Sequence, residues 1–153
     1  MRRFRNLGFP FAAAALSATP FVPAMAQAER LGFDTRSVIN GVELVCTGIG
    51  REVRDDPAWD AYALKVEVAG AEGQFLGNVE IALERDGNRV VELVCGGPWI
   101  LAQLEPGAYT VTSTFEGTSR SGAANVAPSG QTQLVLRIPA AAGAVSAERA
   151  LSP

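Results

Sequence analysis

The residues able to do chemistry are few, and the two cysteines stand out first. They sit in near-identical stretches, Glu43-Leu44-Val45-Cys46-Thr47-Gly48 and Glu92-Leu93-Val94-Cys95-Gly96-Gly97. The likeness ends there: Arg51-Glu52-Val53-Arg54-Asp55 has nothing in common with Ile100-Leu101-Ala102-Gln103-Leu104, so the two stretches are not units of a repeat. With 2 cysteines, no CxxC spacing and 0 histidines, a four-ligand zinc site cannot be assembled. A disulfide or two buried thiols remain, and the redox compartment decides between them.

The other candidates are weighed in the same way. Without histidine, Ser-His-Asp and Cys-His arrangements are impossible, and a Ser-Lys pair would need Lys65, the only lysine, in mid-strand. Glu52, Asp55, Asp56 and Asp60 supply carboxylates in the number a glycosidase needs, but they read better as a solvated acidic loop. Their spacing also lacks the D-x-D-x-D-G order of a calcium loop. Gly48, Gly50, Gly96 and Gly97 lack the GxxxxGK[ST] pattern of a phosphate loop and read as turn or close-approach glycines beside the cysteines. No catalytic residue, metal or cofactor is expected. Trp59, Tyr62, Trp99, Tyr109 and Phe115 are the aromatics that could line a groove for sugars or peptides. Alternation places Tyr109 and Phe115 in a core, whereas Trp99, beside Pro98, fits burial and exposure equally.

The N-terminus speaks to the compartment. Arg2, Arg3 and Arg5 precede a mostly apolar run, Leu7 to Leu16, and Ala24-Met25-Ala26 offers small residues where a signal peptidase reads. Residues 1–26 are expected to be a signal peptide, too short and too interrupted by Pro10, Pro20 and Pro23 to span a bilayer. Arg2-Arg3 also fits a twin-arginine signal, though general export is favoured. Gln27 would begin the mature chain, with no cysteine there to carry a lipid, and no membrane span is expected after cleavage. The product is expected to be periplasmic or secreted, in bacterial fashion. In an oxidising compartment Cys46 and Cys95 are expected to pair, closing a loop of roughly 50 residues that stabilises the fold by about 4 kcal/mol.

Cleavage leaves 127 of the 153 residues, enough for one domain. Of 13 basic residues three depart with the leader, so ten face 16 acidic ones and the mature charge is −6. That balance excludes a basic nucleic-acid face and disfavours anionic lipid.

The elements follow from period and punctuation. Residues 27–41 are polar and weakly patterned, an expected flexible lead-in. Arg51 to Trp59 is charged and broken by Pro57, a loop or single helical turn. In Tyr62-Ala63-Leu64-Lys65-Val66-Glu67-Val68 the period becomes two, as a half-buried strand requires. Val79 to Cys95 reads as a hairpin turning at Asp86-Gly87-Asn88, with Val91, Leu93 and Cys95 inward. Trp99 to Gly117 reads as a second hairpin, turning at Glu105-Pro106-Gly107, with Tyr109, Val111, Ser113 and Phe115 on one face of its second arm. Arg120 to Val126 fits an edge strand, and Leu134, Leu136 and Ile138 close the series. Residues 139–153 are alanine-rich, an expected flexible tail. Six or seven short strands without a long amphipathic helix predict an all-β fold, a single antiparallel β-sandwich over residues 42–138, with a closed barrel as the alternative.

Several of these segments together resemble the carboxypeptidase-regulatory-like domains, transthyretin-like sandwiches of exported bacterial proteins. The carriers are Leu104-x-Pro106-Gly107-x-Tyr109-x-Val111 with Gly117, and, for small stand-alone proteins of this class, Gly48-Ile49-Gly50, Tyr62-x-Leu64-Lys65 and Gly97-Pro98-Trp99. The resemblance covers about Val45 to Ile138 and implies a transthyretin-like or immunoglobulin-like sandwich with no peptidase chemistry. Glu105 departs from the pattern, which commonly has a second proline there, and so do both cysteines, so the bridge is not inherited from it.

The expected function is that of an exported, non-catalytic interaction or structural module of the cell envelope. Its partner would be another envelope protein, with no nucleic acid, and no ligand is identified. The candidate surface combines the Arg51–Trp59 loop and the Gly97-Pro98-Trp99 turn, with Trp59, Trp99, Asp55 and Asp56 as its residues. The alternative is a small carbohydrate- or metabolite-binding module with an aromatic groove. Solvent exposure of Trp59 and Trp99 separates the two.

Overall fold

The structure, a computed structural model, describes residues 27–139. The expected leader, residues 1–26, and the tail beyond Pro139 lie outside the described residues. Among the described residues ten strands form two five-stranded sheets. In chain order they are β1 (Glu29–Leu31), β2 (Arg36–Ile39), β3 (Val42–Thr47), β4 (Leu64–Gly70), β5 (Val79–Arg85), β6 (Asn88–Cys95), β7 (Trp99–Ala102), β8 (Gly107–Phe115), β9 (Thr118–Val126) and β10 (Thr132–Ile138). The first sheet has the order β1-β6-β5-β8-β9 and the second β10-β4-β7-β3-β2. One helical turn, α1 (Arg51–Arg54), and a 3-10 turn (Pro57–Ala61) lie between β3 and β4.

The β5–β6 hairpin shows how the sequence sets the register. Asp86 and Gly87 take φ of 53° and 76°, the left-handed pair of a two-residue primed turn, which matches the twist of the arms it joins. Ile81 then faces Leu93, and Val79 faces Cys95. All four side chains are fully buried. Across the core stand Leu44, Leu64, Val66, Val68 and Ile100 of the second sheet. Each such side chain contributes about 1.5–3 kcal/mol when removed from water.

Four expectations need correction. The sheets are mixed instead of wholly antiparallel: β1 runs parallel to β6, and β10 parallel to β4. The connection that leaves β1 and the one that enters β10 both change sheet, so no hairpin joins either strand to its neighbour. Residues 27–41 are not without regular structure, since they hold β1 and β2. These are edge strands of three and four residues, and of them only Leu31 is buried, so the apolar alternation is too sparse to read. The count of six or seven strands falls short for the same reason. The hairpin expected at Glu105-Pro106-Gly107 does not form: β7 pairs with β3 and β4 in the second sheet and β8 with β5 and β9 in the first, so this turn carries the chain between sheets.

A second, smaller apolar cluster lies on the far face of the second sheet. Val45 and Leu101 point away from the main core and are covered by Tyr62, with Trp59 packed against them. The charged segment between β3 and β4 therefore folds back over its own sheet.

Candidate functional site: the bridged end of the sandwich

Cys46 at the close of β3 and Cys95 at the close of β6 are joined, S–S 2.04 Å with Cα atoms 5.5 Å apart. The bridge ties the second sheet to the first, and both residues are fully buried. The Gly97 amide donates to Cys46 Sγ at 3.3 Å. A side chain at Gly97 would collide with the Thr47 carbonyl oxygen, so glycine is needed for this backbone to pass the bridge. Gly48 is fixed by a different neighbour: its φ is 95°, and a Cβ would lie 2.7 Å from Trp99 Cγ.

That contact seats Trp99, which is only 6% exposed. Its Nε1–H donates to Glu67 Oε2 at 2.9 Å, and Lys65 Nζ stands 3.3 Å from the ring centroid. Lys65 and Glu67 are neighbours on the outer face of β4, so the alternation of that strand delivers a cation to the π face and an anion to the indole N–H. Trp99 is thus a packed residue of the outer sheet face, not an open aromatic contact.

Trp59 is half-buried. Its indole N–H donates to the Val53 carbonyl at 2.7 Å, its own carbonyl accepts from Gln131 Nε2 at 2.6 Å, and its ring centroid lies 6.5 Å from that of Tyr62. Tyr62 in turn donates to Glu43 Oε1 at 2.8 Å. Burial, then the hydrogen bond and charge of Glu43, push the Tyr62 hydroxyl above the ordinary tyrosine value of 10.0. Asp56 Oδ1 accepts the Ala58 amide at 2.9 Å and caps the 3-10 turn, while Asp55 is exposed at the end of α1. Among the described residues, no group of three His, Cys, Asp or Glu side chains is placed to hold a metal ion.

The exposed feature of this end is apolar. Phe33, Ile49 and Phe75 are 49%, 54% and 46% exposed. Ile49 and Phe75 line a notch of about 280 Å³ with Arg54, Leu76, Gly96 and Pro98. Phe33 lies over Gly96 on the same end. The Arg54 guanidinium donates to the Gly48 carbonyl at 3.2 Å and stands 5.1 Å from the Phe75 ring centroid. Gly48-Ile49-Gly50 and Gly96-Gly97-Pro98, far apart in sequence, thus meet here with the first turn of the charged loop. Phe33 and Phe75 escaped the sequence reading. Each is a lone aromatic in a polar, glycine-flanked loop, which was the available signal.

At the opposite end an open depression of about 790 Å³ is lined by Arg85, Gln103, Leu104, Pro106 and Tyr109 with the 127–130 loop. Arg85 donates to the Tyr109 hydroxyl and to the Pro106 carbonyl, each at 3.3 Å, and Tyr109 donates to the Glu105 carbonyl at 2.9 Å. These bonds pin the turn preceding β8, where Gly107 has φ 149°.

Among the described residues no helix is long and apolar enough to cross a membrane. No protein-family model matches the chain, and no curated protein is significantly similar to it in sequence.

Proposed function

We propose that the protein is an exported, non-catalytic binding module that engages another envelope protein through the bridged end of its sandwich. The observation that carries this reading is the grouping of Phe33, Ile49 and Phe75, half-exposed, around the Arg54 rim. Large apolar side chains beside an arginine, on loops held by a rigid scaffold, are the composition of interface anchors. The Cys46–Cys95 bridge supplies the rigidity and is compatible with an oxidising, extracytoplasmic location. The resemblance to carboxypeptidase-regulatory-like domains supports a module of this type, because its motif residues Gly48-Ile49-Gly50 and Pro98 build the notch.

Affinity capture from a cell-envelope extract tests the reading. Wild type and an Ile49→Ser, Phe75→Ser double variant are compared after both are checked for an unchanged melting temperature. A partner retained by wild type and lost from the variant is expected. Equal capture by both removes this end from consideration, and turnover of a substrate by the purified protein overturns the non-catalytic reading.

One observation favours the alternative, a small carbohydrate- or metabolite-binding module. The larger depression at the other end holds Tyr109, Arg85 and Gln103 in a lining that is evenly polar and apolar. Its aromatic is Tyr109, since Trp59 and Trp99 lie elsewhere.

A further inference from the structure

β9 is a free edge of the first sheet, paired only with β8 over an unbroken register from Gly107↔Val126 to Phe115↔Thr118. The two-residue turn at Glu116-Gly117 makes Phe115 and Thr118 a hydrogen-bonded pair. Alternation then aims the backbone groups of Arg120, Gly122 and Ala124 at β8, and those of Ser119, Ser121, Ala123 and Asn125 away from it. The Asn125 carbonyl bears this out by accepting from Thr132 Oγ1 at 3.1 Å. The outward amides and carbonyls of Ser119, Ser121 and Ala123 have no backbone partner among the described residues.

Among the described residues no strand pairs with this edge, and β10 packs along its inner face through Leu134 and Leu136. The edge contains no proline, no bulge and no lysine, and its outward side chains are small and exposed. Between it and β10 runs a groove of about 440 Å³, floored by Gly122, Leu134 and Leu136 and bordered by Arg120 and Arg137. Among the described residues neither arginine belongs to an ion pair.

We propose that the β9 edge takes up an extended acidic segment of a partner protein as an added strand. The segment's backbone completes the hydrogen bonds of Ser119, Ser121 and Ala123, its apolar side chains cover the half-exposed Leu134, and a carboxylate meets Arg120 and Arg137. Main-chain pairing supplies the affinity and the alternate side chains the selectivity. A second copy of this chain is the poorer occupant, because it would bring further arginines to the seam where an acidic strand neutralises them. This surface is distinct from the bridged end and does not depend on the reading given for it.

Amide exchange by NMR on the intact protein tests the proposal, with a short blocked peptide alternating valine and glutamate as the probe. The amides of Ser119, Ser121 and Ala123 are expected to gain saturable protection, while those of Arg120 and Gly122, already bonded to β8, stay unchanged. A valine–lysine peptide is expected to bind about tenfold more weakly or less, and an Arg120→Gln, Arg137→Gln pair to erase the difference between the peptides. Ser121→Pro removes one outward N–H and keeps the backbone bonds to β8, losing only the Ser121–Thr112 hydroxyl contact, and should abolish protection; Ser121→Ala, which loses that contact alone, should keep it. If the proline variant fails to fold, the arginine pair carries the test alone. No protection at the three amides, equal binding of the two peptides, or protection that rises with protein concentration in the absence of peptide overturns the proposal.

Discussion

Trp99 is held by three neighbours of different chemistry: Gly48 beneath the ring, Lys65 on its face and Glu67 at its N–H. Trp99→Ala removes a large buried side chain and leaves Glu67 without its donor, a loss of about 3–5 kcal/mol expected in urea unfolding. Phe75→Ser, at a half-exposed position, should shift stability by no more than about 0.5 kcal/mol. The contrast separates packing from presentation among the aromatics of this face. Tyr62 gives a pH-dependent prediction. Its hydroxyl holds its proton more tightly in the folded protein than in the unfolded chain, so its contribution is fully present below pH 10.0 and is lost as pH rises through the higher folded value. Tyr62→Phe should flatten that alkaline decline in a stability-versus-pH series, and an unchanged slope would contradict the assignment.

At the scale of elements, the hairpins were readable because turn chemistry and alternation agree. Asp86-Gly87 sits between two arms of period two, and Val91, Leu93 and Cys95 fell inward as the charged Glu92 required. Gly87→Ala forces a side chain into φ 76° and should cost about 1 kcal/mol in thermal unfolding. Asn40-Gly41 carries the same hairpin signal, with φ of 51° and 81°, but its β2 arm is short and exposed, so no alternation supported it. The partners of β7 were hidden for the opposite reason: the turn at Pro106-Gly107 suggested a hairpin with β8, but the strand lies in the other sheet between β3 and β4. Trp99-Ile100-Leu101-Ala102 is buried on both faces, because the segment between β3 and β4 folds over the outer side of the sheet, and that coverage is a tertiary fact absent from local sequence. The candidate site divides likewise. Glycine and proline marked the loops that meet at the bridged end, whereas the convergence of Phe33, Ile49 and Phe75 depends on how loops from both sheets are brought together.

The whole molecule is two sheets tied at one end. Cys46→Ser with Cys95→Ser is expected to lower stability by a few kcal/mol, about 4 at most from loop entropy, read as a lower urea midpoint with a steeper slope, since the unbridged chain exposes more surface on unfolding. Because the bridge stands behind the apolar notch, its loss should also raise exchange at the Gly96 and Gly97 amides before any other part of the core opens. The central claim is that binding happens at this end, and photo-crosslinking in the living envelope tests it most directly. A photoreactive side chain is placed in turn at position 75, in the notch, and at position 129, in the loop lining the opposite depression. A discrete adduct from position 75 and none from position 129 is the predicted result, and an adduct from position 129 alone would contradict it.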